Sequence, residues 1–480
     1  MTLATPGPYP SEADKVKEAI HAALRAWHTL GGTADDLLDF LLMVRQQRLA
    51  SNAGDNPSLL RNVTNSVLLQ AIDDLALQEP DRARVLRLRF LDGKTIAQVS
   101  YTLDVSEDTV NRIQREAIQS LAKIINACEA AARQEAEQRL EAHLPPPTYT
   151  TLFGVDVLQG QVSGQLLREN TPWVIALVGI GGIGKTAIAD AVTRHVIGHF
   201  HYDQVIWLRH ESPTMSGRSL APQVTAESLI AELAHRLWPE AANSLSPEQR
   251  LVEVRQALKA RPHLVVIDNL ESQAAAAYLL AHHLNDLARP GKFLLTTRTR
   301  LAGQAAVRNV SVDELSFADA EALMRRHARD TGVAVVAEAK TADLQAIYDT
   351  VGGNPLALKL VVTLLDSVPL PRVLAELARG PQGKVEEMYR HIYWRTWQTL
   401  DQDARDLLQA MPIVADVGAT PEYLQGVSGL EEDRLWPAIQ ELHRRSLLEV
   451  RGNLHEKRYG IHRLTETFLR TEIIHWDELG

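Results

Sequence analysis

Cysteine is almost missing from this sequence: Cys128 is the only one in 480 residues. That excludes an internal disulfide and any thiolate metal cluster within the chain. Positive charge is also short, with 50 Lys and Arg against 60 Asp and Glu, a net charge of −10. A chain of this balance has no general attraction to nucleic acid or to an anionic membrane, so any DNA contact must come from a local patch. No apolar run approaches the length of a transmembrane helix. The start, Met1-Thr2-Leu3-Ala4-Thr5-Pro6, lacks the basic residues and apolar core of a secretory signal. No internal repeat is visible, which disfavours solenoids and propellers. Apolar content of 45% and charged content of 23% are those of a soluble globular protein, and the length suits about three domains. The expectation is a cytoplasmic protein.

The first 130 residues read as an all-helical domain. Val16, Ile20, Ala23, Leu24 and Trp27 recur at helical steps, Gly31-Gly32 interrupts, and Leu37-Leu38 with Phe40-Leu41-Leu42 begins a second helix. Within residues 81–125 the pattern is helix (Ala83, Val85, Leu86, Leu88), turn at Asp92-Gly93, helix over 95–103, tight turn at Asp104-Val105, then helix from Ser106. Ser106 is a good N-cap, and Val110, Ile113, Ala117 and Leu121 mark the buried face of the last helix. This is a helix-turn-helix layout. Through Gly93, Val99, Leu103, Val105, Ser106, Thr109, Val110, Ala117 and Leu121 it resembles region four of bacterial sigma factors and the related response-regulator domains. The last helix would offer Asn111, Arg112, Gln114 and Arg115 to DNA, types that read base edges or phosphates. Arg82, Arg84, Arg87 and Arg89 add positive charge on the preceding helix, whereas Glu107-Asp108 opposes phosphate. Residues 131–147 form a polar helix that runs into Pro145-Pro146-Pro147, a stiff linker and the clearest domain boundary.

Gly179-Ile180-Gly181-Gly182-Ile183-Gly184-Lys185-Thr186 fits the phosphate-loop pattern, with glycines, Lys-Thr and flanking elements in order. An apolar strand precedes it over 173–178, and a helix follows from Thr186-Ala187. Glycines let the backbone turn its N–H groups inward, and the helix N-terminus adds partial positive charge. Lys185 would reach the β and γ phosphates of ATP or ADP, and Thr186 would ligate Mg²⁺. Residues 202–208 and 264–268 read as further strands, the latter ending in Asp268, which would hold Mg²⁺ at the C-terminal sheet edge. A fourth strand over 292–298 ends in Arg298, suited to sensing a γ-phosphate.

The combination over 148–474 resembles the NB-ARC group of signal-transduction ATPases, which includes plant resistance proteins and apoptotic adaptors. Leu152-Phe153-Gly154 looks like the motif that runs over the adenine, and Gly352-Gly353-Asn354-Pro355-Leu356-Ala357 like the Gly-x-Pro motif, whose proline lies near it. Leu315-Ser316 followed by Ala320 and Leu323 resembles the start of a small helical domain. Ala404-Arg405 with Leu407-Leu408 resembles the start of a winged helix, and Tyr459-Gly460-Ile461-His462-Arg463 the motif whose histidine contacts the ADP β-phosphate. The resemblance implies a multidomain α/β plus α chain: a P-loop domain with a parallel sheet over 148–305, a small helical domain over 306–380 and a winged helix over 381–480. It implies ATP or ADP with Mg²⁺ as cofactors, a closed ADP-bound monomer, and an open ATP-bound form able to assemble into a homo-oligomer. Gly179, Gly181, Gly182, Ile183, Gly184, Lys185, Thr186 and Ala187 would hold the nucleotide with Phe153, Gly154, Pro355 and His462.

Three departures stand out. Val155 replaces the usual arginine, Arg463 the usual aspartate, and Asn269 the usual acid after Asp268. An amide cannot take a proton from attacking water, so hydrolysis should be slow at most, with Glu271 the nearest substitute. Relatives continue into signal-sensing repeats where this sequence stops at Gly480, so a sensor in a partner chain, or a signal acting on the winged helix itself, is expected. Two other readings compete with a DNA-binding transcriptional switch. One makes the N-terminal domain a protein-recruiting adaptor. The other is a metabolic P-loop enzyme, which leaves the Gly-Asn-Pro and winged-helix stretches unexplained.

Overall fold

The computed structural model describes the chain except residues 1–9, 29–36, 52–55, 171, 210–221, 241–243, 271–277, 280–282, 302–306, 379–389, 391–392, 395, 415–417, 446, 453–455, 462 and 475–480. His462 and Glu271 therefore lie outside the described residues. Two compact units are present, Met1–Arg139 and Leu140–Gly480.

The first unit is helical. Helices α1 (Pro10–Arg25), α2 (Leu42–Ala50) and α3 (Pro57–Gln78) precede the motif region. Val16, Ile20 and Leu24 of α1 meet Val67, Leu68, Ile72 and Leu75 of α3 in one core. Glu129 is buried and accepts the N–H groups of Leu42 (2.9 Å) and Met43 (3.1 Å), capping α2, whose own N-cap residue Leu41 has no side-chain bond to offer. Helix α4 (Pro80–Leu86) continues as a wider turn over Arg87–Leu91, then α5 (Ile96–Leu103) begins in a reciprocal cap between Thr95 and Gln98. Asp104 ends α5 in the left-handed region at φ 54°, and α6 starts at Glu107 with the Ser106 hydroxyl accepting from the Thr109 N–H at 3.2 Å. Val85, Val99 and Val110 form the small core beneath this turn. The last helix of the helix-turn-helix and the polar helix expected after it are one continuous helix, Glu107–Glu141. No glycine or proline interrupts it, and the Ala/Glu/Arg/Gln-rich second half has strong helix propensity.

The second unit is built on a five-stranded parallel sheet in the order β2-β3-β4-β1-β5. The strands are β1 (Val174–Val178), β2 (Gln204–Arg209), β3 (His263–Asp268), β4 (Lys292–Thr297) and β5 (Val307–Ser311). Strands β1, β3 and β4 are buried throughout, and each has an apolar run at its centre, with polar residues only at the ends of β3 and β4. Alternate side chains serve opposite faces. Ile175 and Leu177 pack with α7 (Asp156–Leu166) and α8 (Lys185–Ile197), while Val174, Ala176 and Val178 pack with α9 (Pro222–Leu237) and α10 (Pro247–Ala260). Beyond the sheet come α11 (Phe317–Thr331), α12 (Thr341–Val351), α13 (Pro355–Leu364) and α14 (Leu370–Ala378). A winged helix follows: α15 (Gln402–Ala410), α16 (Pro421–Ser428), α17 (Glu432–Arg444) and the antiparallel hairpin β6 (Glu449–Gly452) and β7 (Lys457–Gly460), with Ala419 bridged to Tyr459. The small helical domain and the winged helix share one hydrophobic core, in which Leu358 and Val361 of α13 lie with Leu407 of α15 and Leu442 of α17.

Candidate functional site

Residues 179–186 connect the buried strand β1 to α8 at the C-terminal edge of the sheet, the place where open α/β sheets collect ligands. Gly182 and Gly184 have φ of 73° and 99°, left-handed conformations that glycine adopts at no steric cost. The loop is pinned at its start, where the Gly179 N–H donates to the Thr297 carbonyl at 3.2 Å. A side chain at Gly179 would put its Cβ 2.9 Å from the Val312 carbonyl, so the position has no room for one. Lys185 Nζ donates to the carbonyls of Gly179 (2.8 Å) and Ile180 (2.9 Å), which holds the ammonium over the loop.

The hydroxyl of Thr186 donates to Asp268 Oδ1 at 2.8 Å. Asp268 is 2% exposed at the end of β3, and the same oxygen accepts from Thr296 on the neighbouring strand at 2.6 Å. Thr296 in turn accepts the Asn269 N–H at 2.7 Å, and Asn269 is held at φ 69°, a left-handed conformation that asparagine tolerates. Thr296 was not anticipated from sequence; a hydroxyl inside a buried apolar strand was the available signal. Two hard oxygen donors thus converge from Thr186 and Asp268. Such a pair fits Mg²⁺, which keeps waters and substrate phosphates as its other ligands. Among the described residues no cluster of three or more His, Cys, Asp or Glu could form an all-protein metal cage. Arg298 follows β4 directly and is half-buried.

The helical segment reaches the loop as well. Pro355 is the first residue of α13, and Asn354, its N-cap, donates from Nδ2 to the Gly181 carbonyl at 3.0 Å. Phe153 packs against the core of the helical segment. Gly154, at φ 65°, lies so close to Asp319 that a Cβ would stand 2.7 Å from its carboxylate. Behind α8, Asp190 is 4% exposed and takes hydrogen bonds from Tyr149 (2.8 Å) and Arg194 (2.9 Å), and Arg194 also donates to the Pro145 carbonyl at 2.8 Å. Burial and the Asp190 carboxylate push the Tyr149 phenol well above its ordinary range, so it remains a donor.

In the helix-turn-helix, Val110 and Ala117 face inward, Ile113 is half-buried, and Arg112 and Arg115 are exposed. Asn111 and Gln114 are half-buried, and Gln114 accepts from Arg89 Nε at 3.2 Å. Arg112 pairs with Glu116 at 2.9 Å, and Arg82 reaches the same carboxylate at 3.1 Å. Hydrogen bonding from Arg112 and Arg82 holds Glu116 below the usual carboxylate range, so it stays ionised.

Two family models match parts of the chain. Residues 156–326 match the NB-ARC domain, and residues 79–123 match sigma-70 region 4. "Probable disease resistance RPP8-like protein 4" of Arabidopsis thaliana is 23% identical over 165 residues, 34% of this chain and 17% of that protein. "Regulatory protein AfsR" of Streptomyces coelicolor is 28% identical over 218 residues, 44% of this chain and 20% of that protein. The chain thus spans under a quarter of the length of these relatives. A solved signal-transduction ATPase with a tetratricopeptide repeat sensor, from Pyrococcus horikoshii, aligns at 17% identity and a TM-score of 0.46, over 68% of this chain and 43% of that one. The chain carries an NB-ARC domain over residues 156–326 and a sigma-70 region 4 helix-turn-helix over residues 79–123.

Proposed function

We propose that this protein is a nucleotide-gated switch, closed with ADP and open with ATP, whose helix-turn-helix unit binds DNA and regulates transcription in the cytoplasm. The observation that carries the switch is the convergence of Thr186, Asp268 and the α13 N-terminus on one phosphate loop. A bound polyphosphate at that point meets both the sheet and the helical segment, so two nucleotides can favour two arrangements differently. Lys185 and the loop N–H groups bind the phosphates, Thr186 and Asp268 hold Mg²⁺, and Arg298 senses the γ-phosphate. The magnesium ion, when bound, neutralises charge on the phosphate oxygens. His462 contacts the ADP β-phosphate in the closed form, with Phe153, Gly154 and Pro355 at the base. Moving a mostly closed population to mostly open takes about 5.5 kcal/mol of differential binding, within reach of a few charge-assisted hydrogen bonds.

For the output, Arg112 and Arg115 supply the exposed positive charge of the recognition helix. Their phosphate contacts would make DNA binding fall with salt at a slope of about −0.9 per neutralised phosphate. A second reading, a protein-recruiting adaptor, is favoured by the acidic helix start at Glu107-Asp108 and by the engagement of Arg112 with Glu116. The test is anisotropy on pooled random duplexes at two salt concentrations, with ADP and with an ATP analogue. The DNA reading expects stronger binding with the ATP analogue and a slope reduced by about two in the doubly substituted Arg112→Ala, Arg115→Ala variant. No binding at low salt in either nucleotide state would leave the adaptor.

A further inference from the structure

Asn354 uses both ends of its amide, and it is 1% exposed. Its Oδ1 accepts the N–H groups of Leu356 (3.1 Å) and Ala357 (3.4 Å), which caps α13 and fixes which end of the amide faces the helix. Nδ2 is therefore directed the other way, onto the Gly181 carbonyl at 3.0 Å. The next carbonyl of the loop, that of Gly182, is approached by the Leu356 N–H at 3.4 Å. A trans peptide points its C=O and N–H in opposite directions. Holding the carbonyls of Gly181 and Gly182 from the α13 side thus turns the N–H groups of Gly182 and Ile183 away from α13. Consecutive N–H groups turned to one side, with a left-handed Gly182, make an anion-binding nest.

Asn354 is itself held in place. The Leu315 N–H donates to the Gly353 carbonyl at 2.9 Å, and the Gly353 N–H donates to Glu314 at 3.0 Å. Two residues earlier, the Val312 N–H bonds the Val178 carbonyl at 2.7 Å, beside the start of the loop. The chain from 312 to 315, the Gly353-Asn354 pair and the phosphate loop therefore form a closed ring of contacts.

We infer that Asn354 is a positioning residue for the phosphate loop, aligning the N–H groups of Gly182 and Ile183 for the diphosphate of a nucleotide. This inference rests on the nucleotide-binding reading above. Ser, Thr or Asp can cap a helix as well as asparagine does, but none has a second polar atom that donates to the Gly181 carbonyl: a carboxylate carries no proton, and the one hydroxyl of Ser or Thr is itself the capping atom. That difference separates the capping role from the positioning role.

The experiment is calorimetric titration of the full chain with Mg-ADP and with AMP, for wild type, Asn354→Ser and Asn354→Asp, with melting of each unliganded protein. Both variants keep the cap, so unliganded Asn354→Ser should melt close to wild type, while Asn354→Asp, which buries a carboxylate against a carbonyl, should melt lower. ADP affinity should fall on the order of ten-fold in Asn354→Ser. It should fall further in Asn354→Asp, whose carboxylate faces the Gly181 carbonyl. AMP, with one phosphate and fewer loop N–H groups to draw on, should change less, so the preference for ADP over AMP shrinks. An unchanged ADP-to-AMP preference in a folded variant overturns the inference while leaving nucleotide binding intact. A wild-type chain that binds neither nucleotide overturns the underlying reading as well. If Asn354→Asp melts early, the same comparison in Asn354→Ser decides.

Discussion

Asp268→Asn separates what this carboxylate does for folding from what it does for the ligand. The side chain is 2% exposed, and its donors among the described residues are two neutral hydroxyls, Thr186 at 2.8 Å and Thr296 at 2.6 Å, both on Oδ1. A hydrogen bond to a charged group contributes about 1.5–3 kcal/mol, so the two together offset several kcal/mol. Burying the carboxylate costs about the same. An amide keeps the oxygen that accepts both hydroxyls and removes the buried charge. The unliganded variant should therefore differ from wild type by no more than about 1–2 kcal/mol, with the sign towards stabilisation. Ligand changes the outcome. At a hundred times its dissociation constant, Mg-ADP stabilises the wild type by about 2.7 kcal/mol, a rise in melting temperature of roughly 3–5 °C for a unit of this size. The variant has lost a magnesium ligand, so the Mg²⁺-dependent part of that rise should disappear. Scanning calorimetry with ADP, with and without Mg²⁺, reads both quantities. A full Mg²⁺-dependent rise in the variant would refute the reasoning. So would an unliganded loss above about 3 kcal/mol, which would make Asp268 a structural residue.

Asn269→Asp restores a proton acceptor next to Asp268, at a φ of 69° that aspartate tolerates, and should raise ATP turnover at least about ten-fold. Phosphate-release assays with equal rates for both proteins would remove Asn269 as the cause of slow hydrolysis. Burial, helped by the nearby charge of Lys359, pushes His327 down to about 4. The unfolded chain then takes up the proton first as pH falls, so stability from this site is complete above the ordinary histidine range and is lost from about pH 6.5 towards 4. His327→Gln should flatten the melting temperature between pH 7.5 and 5, and an equally steep profile in the variant would contradict the assignment. Gly353→Ala would place a Cβ 2.2 Å from the Leu315 carbonyl, so denaturant unfolding should show a loss on the order of 3 kcal/mol. A loss under about 0.5 kcal/mol would show that the backbone gives way there.

Elements whose signal is local were readable from the sequence. The Asp104 turn, the Ser106 cap and the glycines of residues 179–184 each need particular residue types at particular places, and each stands where its pattern puts it. Strands β1 to β4 were equally visible, because the buried middle of each is an apolar run. Strand β5, Val-Arg-Asn-Val-Ser, has no such run, since it lies on the sheet edge. Its place beside β1 is a tertiary fact. Helix α3 was passed over for a similar reason: its 22 residues scatter apolar groups around the axis instead of along one stripe. The contacts of Thr296 with Asp268 and of Asn354 with Gly181 join residues 28 and 173 positions apart, and no spacing rule reaches them.

The central claim is that residues 179–186 bind a nucleoside polyphosphate through Lys185. Its most direct measurement is calorimetric titration of ADP, with Mg²⁺, into the full chain and into Lys185→Ala. Removing a charge-assisted bond to phosphate should weaken binding roughly 10- to 150-fold, while the variant melts as wild type does without ligand. Undiminished affinity in the folded variant, or no binding by the wild type, would contradict the account.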